Sequence, residues 1–512
     1  MTRKTRRRLD GGNVAMIFAL GTIPLVGCVG LAVDAGAALR REEKLQAAVD
    51  SAALAALRAL PTQNDEGVRE AAKAYITTNF GGLPYNLDEV KIDRATQKVE
   101  LKASSPSPTM FGGIFGIDNM NVDAEAVAQG GGTIELVMAL DNSGSMADAG
   151  RIQALREAST DLVETLMDDP ALSNRVRIGV VPFSTAVNVG GNYRNSGWID
   201  TTRANNLNGN HASGNKHNLQ LFDQIGVAWE GCVESRTTQN NLDVNDTAPG
   251  ASSGQTLFIP MFAPDESDVG NYLNSYLFDN GGSCDPSNSG SAVARQQRHC
   301  KYEDQNARST HTNPQGQRLP VGPNIKCESI PVLPMTDQKP VVTAKLAAMT
   351  PEGNTNIVEG ASWGWRLLSP GLPFTEGKPY NTTGNRKILI VMTDGENTMN
   401  GWNHNHNLSA YYSTYGYPLD KRLMQQATGD ETALRRAMND RLRLACANAK
   451  AQKVQIYSII VSAPNDEARQ VMEDCATPGD RPKHAYSVAT AGELKGVFEE
   501  IGKSIKAVRL AQ

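Results

Sequence analysis

Five oxygen-bearing side chains in this sequence have types and spacings that suit a hard cation. Asp141, Ser143 and Ser145 are spaced by two at the end of residues 133–146, TIELVMALDNSGSM. Thr355 lies in residues 353–357, GNTNI, and Asp394 follows residues 387–392, KILIVM. A divalent ion such as Mg2+ needs several oxygen ligands in a small volume and keeps some of its waters. One carboxylate and two hydroxyls on a single loop supply part of an octahedron. Apolar residues at the same places would bind nothing.

The elements around these residues are those that hold ligands in open α/β sheets. Residues 134–140 are a near-continuous apolar run, as in a strand covered on both faces of a parallel sheet. Gly144 lets the backbone turn, and a helix is predicted over 151–166. Asp148 reads as the cap of that helix. Residues 387–392 form a second buried strand, so Asp394, like Asp141, stands at a strand's carboxyl end. The GNTNI loop leads into a helix over 357–368. Such strand ends line the crevice where these sheets bind ligands. Glu396 reads as a solvated carboxylate beside the turn.

The pattern Asp141-x-Ser143-x-Ser145, then Thr355, then Asp394 resembles the metal-ion-dependent adhesion site of von Willebrand factor type A domains. All five positions match. The resemblance implies that these side chains hold Mg2+, or Mn2+ or Ca2+, directly or through water. It implies one coordination position left for an acidic residue on a protein partner. The family's strand order would set the first strand beside the 387–392 strand, with Asp141 and Asp394 facing one ion.

The chain before residue 133 has a different character. Residues 1–10 form a basic tail, with Arg3, Lys4, Arg6, Arg7 and Arg8. Residues 11–33 carry no charge, and as a helix they span roughly 34 Å, enough to cross a bilayer. The basic tail predicts a cytoplasmic N-terminus, with everything after Asp34 outside. No clear A-x-A site supports a cleaved signal peptide. Residues 34–60 are a strong Ala- and Leu-rich helix former that Pro61 stops. The stretches GNVA at 12–15, AVD at 32–34 and LQAAVDSAALA at 45–55 resemble the N-terminal region of TadE/TadG-like proteins of bacterial Flp, or tight-adherence, pilus machinery. That resemblance implies a single-pass protein of the bacterial inner membrane, with its bulk periplasmic or extracellular.

Residues 34–132 are predicted to extend the helix and add a small α+β, pilin-like domain. It would have a helix over 66–80 and half-buried strands over 90–93, 98–103 and 120–128. Residues 111–116, FGGIFG, read as a buried connection, with a partner contact as the alternative, and 130–132 as a short linker. Residues 133–512 are predicted to be the type A domain, with helices over 431–452, 467–473 and 491–508 and an insertion over 185–335. The expected fold class is α/β: a doubly wound, mostly parallel sheet, preceded by a transmembrane helix and the pilin-like domain.

Of seven cysteines, Cys28 falls in the uncharged segment and six lie beyond it. An even number outside the cell suggests three disulfides. Cys446 and Cys475 are the expected pair, on consecutive helices that flank one strand and share a face of the sheet. Cys232, Cys284, Cys300 and Cys327 allow three pairings, and the sequence does not choose. No C-x-x-C spacing points to zinc. His404-x-His406, on an Asn-rich loop, reads as binding no metal. The basic charge sits in a tail rather than over a folded face, which argues against nucleic acid. Ser143 and Ser145 are not in a G-x-S-x-G elbow, and no P-loop or dinucleotide glycine pattern appears, so neither catalysis nor a small-molecule substrate is expected. The function expected is metal-dependent adhesion in pilus assembly. The alternatives are a structural, pilin-like component whose metal site only stabilises the fold and, further off, a membrane-tethered hydrolase.

Overall fold

A computed structural model describes residues 11–506 except 61, 95–97, 130–131, 173, 210–215, 251–252, 270–273, 288, 313–317, 402–410 and 480–482. The chain divides into two compact units, one within Met1–Gly132 and the other Thr133–Lys506.

The first unit packs two helices on a three-stranded antiparallel sheet. α1 is Gly11–Ala59 and α2 is Asp65–Asn79. β1 (Asn86–Asp93), β2 (Lys98–Pro108) and β3 (Asn119–Gln129) pair in the order β1-β2-β3. Leu45, Ala48, Val49, Ala52 and Ala56 of α1 are buried with Val99, Leu101, Ala103, Ala124 and Ala126 of the sheet. Small side chains on both surfaces let helix and sheet approach closely. β2 runs past its apolar alternation because its inward positions continue as serines. Ser105 Oγ accepts from Arg41 Nε at 2.8 Å and donates to the Pro84 carbonyl at 2.7 Å. Hydrogen bonding thus satisfies a polar group in a core position that hydrophobicity alone does not mark. Among the described residues no helix is long and apolar enough to cross a membrane. Most side chains of residues 11–26 lie outside the described set.

The second unit is a mixed α/β sheet with one antiparallel edge. Its elements begin with β4 (Ile134–Asp141), α3 (Arg151–Met167) and β5 (Val176–Phe183). The long segment that follows holds α4 (Asn218–Gln224), α5 (Ala292–Gln296) and the hairpin β6 (Thr310–Thr312) and β7 (Arg318–Pro320). Then come β8 (Leu333–Thr336), α6 (Lys339–Ala348), α7 (Ile357–Leu368), β9 (Arg386–Thr393), α8 (Glu431–Ala451), β10 (Gln455–Val461), α9 (Asp466–Cys475), β11 (Ala485–Val488) and α10 (Leu494–Lys506).

The strand order is β11-β10-β9-β4-β5-β8, parallel throughout except that β8 runs antiparallel to β5. β8 closes the edge at the end of the 185–335 stretch that reads from sequence as an insertion; it has little strand signal, because LPMT is short and its proline breaks any strand pattern. The order reverses between β4 and β9, and there the crevice of such sheets forms.

β4 is buried along its whole length, and its residues alternate between two cores. Leu136, Met138 and Leu140 face α3, α6 and α10; Val137 and Ala139 face α7, α8 and α9. All of α7 is buried. The sheet covers one side of it and the long segment the other, where Phe258 packs on Trp363 with ring centroids 4.7 Å apart. A Cβ on Gly360 would stand 2.4 Å from Phe183 Cδ1, so glycine is what lets α7 reach the sheet.

Three disulfides bind the second unit: Cys232–Cys327, Cys284–Cys300 and Cys446–Cys475. The last joins α8 to α9, and the first two staple the long segment. Cys28 is a free, exposed thiol in α1.

Candidate metal centre

β4 and β9 are neighbours, and each ends in a carboxylate at the crevice. Asp141 is fully buried and closes β4. Its Oδ1 accepts from the Ser143 backbone N–H at 2.8 Å and its Oδ2 from Thr393 Oγ1 at 2.6 Å. Those two bonds fix the carboxylate in plane. Asp394, just past β9, accepts from Ser145 Oγ at Oδ1, 2.7 Å, and from Arg151 Nη1 at Oδ2, 2.7 Å.

The three hydroxyls form a chain between the carboxylates. Thr355 Oγ1 donates to Ser143 Oγ at 3.0 Å, and Ser143 Oγ lies 3.2 Å from Ser145 Oγ. Thr355 arrives from the turn before α7, which is locked to the other loops by backbone bonds. Gly144 N–H donates to the Gly353 carbonyl at 3.0 Å, and Glu352 N–H to the Asn142 carbonyl at 2.8 Å. The structure therefore brings Asp141, Ser143, Ser145, Thr355 and Asp394 into one cluster. Four of the five are buried; Ser145 is exposed and opens the cluster to solvent.

Electrostatics favour a cation here. Burial, and then the neighbouring Asp394 charge, push the Asp141 carboxyl up to about 6, against the bonds from Ser143 and Thr393. Two carboxylates in a buried space are unfavourable together without positive charge nearby, and Arg151 supplies part of that charge to Asp394 only. The donors are all oxygen, as a hard divalent ion requires. Among the described residues no three His, Cys, Asp or Glu side chains gather as a ligand set. Hydroxyls and water would therefore make up most of any coordination shell. Within those terms the residues present fit a divalent cation.

Three groups around the cluster have no sequence signal. Arg151, the first residue of α3, also donates to the Ser145 carbonyl at 3.1 Å. Thr393 steadies Asp141. Glu328, from the long segment, accepts from Asn142 Nδ2 at 2.8 Å. Burial pushes its carboxyl up to about 7, against bonds from Ile330, Asn142 and Ser184. Asp148 does not cap α3: the N-cap is Gly150, whose φ of 70° suits glycine, and Asp148 is exposed. Glu396 is not simply solvated; it bonds Arg435 at 3.3 Å and Asn465 at 2.8 Å. His404 and His406 lie outside the described residues.

No curated protein matches the chain. Among solved structures, the pilus adhesin SpaC from Lactobacillus rhamnosus GG, in its open conformation, aligns at a TM-score of 0.33 and 12% identity, over 82% of this chain and 33% of that one. The chain thus spans about a third of SpaC. The vWF domain of the type V pili tip protein Mfa5 from Porphyromonas gingivalis aligns at 0.33 and 11%, over 73% and 95%. The adhesive tip pilin GBS104 from Group B Streptococcus agalactiae aligns at 0.33 and 10%, over 73% and 99%. These are loose similarities. Residues 12–59, almost the whole of α1, match the family described as putative Flp pilus-assembly TadE/G-like.

Proposed function

We propose that this chain is a TadG-like pilus-assembly protein, anchored in the inner membrane by residues 11–33, whose second unit is a von Willebrand type A domain for metal-dependent adhesion. The observation that carries the reading is the hydroxyl chain from Thr355 through Ser143 to Ser145, strung between Asp141 and Asp394 at the reversal of strand order. A divalent cation, Mg2+ or else Mn2+ or Ca2+, would be held by these five side chains and offer a coordination position to an acidic side chain of a pilus or assembly protein. Asp141 is kept oriented by Ser143 N–H and Thr393. Exposed Ser145 marks the side from which a partner carboxylate approaches. The match of residues 12–59 supports the pilus assignment, and three disulfides suit an oxidising compartment outside the cytoplasm.

The test uses the full chain in detergent micelles. Calorimetric titration with Mg2+ and Mn2+ should give saturable heat that disappears when Ser143→Ala and Ser145→Ala are combined. Co-purification of a partner from membranes should persist in Mg2+ and fail in EDTA. A double variant that binds Mg2+ like the parent chain would sink the metal reading. If EDTA lowers stability but releases no partner, the site serves only the fold, as the structural alternative holds.

A further inference from the structure

An apolar surface of the first unit plays no part in metal binding. The connection from β2 to β3, residues 109–118, holds the 111–116 stretch expected from sequence to be a buried connection, and it turns its apolar side chains outward. Met110 is 81% exposed and Ile114 79%; Phe115 and Ile117 are exposed as well. The loop lies against α1 within the run that has no charged residue. A Cβ on Gly27 would stand 2.8 Å from Phe115 Cζ, and one on Gly30 2.7 Å from Phe111 Cβ. Beside it α1 exposes Leu25, Val29 and Val33.

Asp34, the first charge after that run, is buried beneath the loop. Its Oδ1 accepts from Met110 N–H at 2.8 Å, and its Oδ2 from Phe111 N–H at 2.9 Å and Gly112 N–H at 2.8 Å. Burial works against the charge, but the three donors prevail and hold the carboxyl below its usual range. The loop is therefore clamped to one level of the helix. From Asp34 back to Gly27 is seven residues, about 10 Å along a helix at about 1.5 Å per residue. Amphipathic protein segments seat at about that depth in the headgroup and acyl boundary.

We propose that residues 109–118 form a wedge that inserts Met110, Ile114 and Phe115 into the outward-facing leaflet beside α1, with Asp34 setting its depth. The inference rests on reading residues 11–33 as the anchor. If the helix crosses the bilayer there, a loop packed on Gly27 and Gly30 stands at the level of lipid, and its side chains are of the kind lipid accepts. Large exposed apolar patches mark contact surfaces rather than water-facing ones.

The experiment places the full chain, with Cys28→Ser, in vesicles of phosphatidylethanolamine and phosphatidylglycerol. Nitroxide labels are attached in turn at Ile114→Cys, at Leu25→Cys as anchor control and at Lys73→Cys as water control. Collision with oxygen and with a water-soluble nickel chelate is then compared. The expected result is oxygen-dominated collision at positions 114 and 25 and chelate-dominated collision at 73. A label at 114 open to the chelate, with 25 in lipid, overturns the wedge and leaves the anchor. Chelate access at both 114 and 25 overturns the anchor reading too. A label at 114 shielded from both reagents means that another protein copy covers the loop, and the wedge is rejected.

Discussion

Arg151 Nη1 sits 2.7 Å from Asp394 Oδ2, and the Asp394 side chain is fully buried while Arg151 keeps 21% of its own exposed. The guanidinium thus supplies positive charge to the same carboxylate that the proposed cation would use. Arg151→Met should therefore act in two directions. Without divalent ions it leaves a buried carboxylate unpaired and should cost about 1–3 kcal/mol. With Mg2+ present the loss should shrink and Mg2+ should bind more tightly, because a competing charge is gone. Thermal unfolding in EDTA and in Mg2+ checks both; equal destabilisation in the two buffers would count against competition at Asp394.

Glu328 gives the site a pH dependence of its own. Its carboxyl is raised from 4.5 to about 7 by burial, and among the described residues its Oε2 has no hydrogen-bond partner. A raised folded-state value means that the folded protein holds the proton more tightly. The stabilisation is full below about pH 4.5 and is lost as pH rises through 7. The difference corresponds to a few kcal/mol, on the order of 3, for one group. Glu328→Gln should remove this group's share of the slope between pH 4.5 and about 7 while keeping the bond to Asn142, leaving the smaller share of the raised Asp141 carboxyl. Denaturant midpoints across that range give the measurement, and an unchanged slope would reject Glu328 as its source.

How far the molecule can be read from its sequence depends on whether a residue's neighbours are local. β4 and β9 are legible because parallel strands buried on both faces leave unbroken apolar runs, and Asp141 and Asp394 follow those runs directly. Thr355 belongs to a polar loop without periodicity and is legible only through the resemblance to a known motif. Arg151 is a lone arginine at a helix start, which usually faces water, and its partner lies 243 positions away. The long segment reads as polar because Trp198, Phe258 and Tyr276 are scattered among turns, yet they meet in one core over α7. Residues 111–116 mislead in the opposite sense: apolar composition suggests burial, whereas Ile114 and Phe115 point outward.

The thiol inventory separates the two units. Alkylation of the unreduced chain should modify Cys28 alone, and reduction should release six further thiols from the three disulfides. Replacing Cys446 and Cys475 by Ser should lower the stability of the second unit by about 3 kcal/mol, the usual effect of opening a loop of this size. Peptide mapping by mass spectrometry reads the pairing. Linkage of Cys232 to Cys284 or Cys300 would contradict the way the long segment folds.

Gly360 links the packing of α7 to the metal centre. The helix follows directly on Thr355, and a Cβ at Gly360 would press on the Phe183 ring 2.4 Å away. At Gly364 the nearest atom is Leu389 Cδ1, at 2.5 Å, the end of a side chain that can turn aside. Alanine favours a helix by about 1 kcal/mol over glycine, which works against the clash. Overpacking costs about 1–3 kcal/mol, and the rigid ring cannot relieve it by rotamer change. Gly360→Ala should therefore lower stability and move Thr355 away from Ser143, weakening Mg2+ binding. Gly364→Ala should be close to neutral on both counts. Thermal unfolding and Mg2+ calorimetry on the two variants decide the matter, and equal behaviour would mean that α7 does not transmit its position to the Thr355 turn.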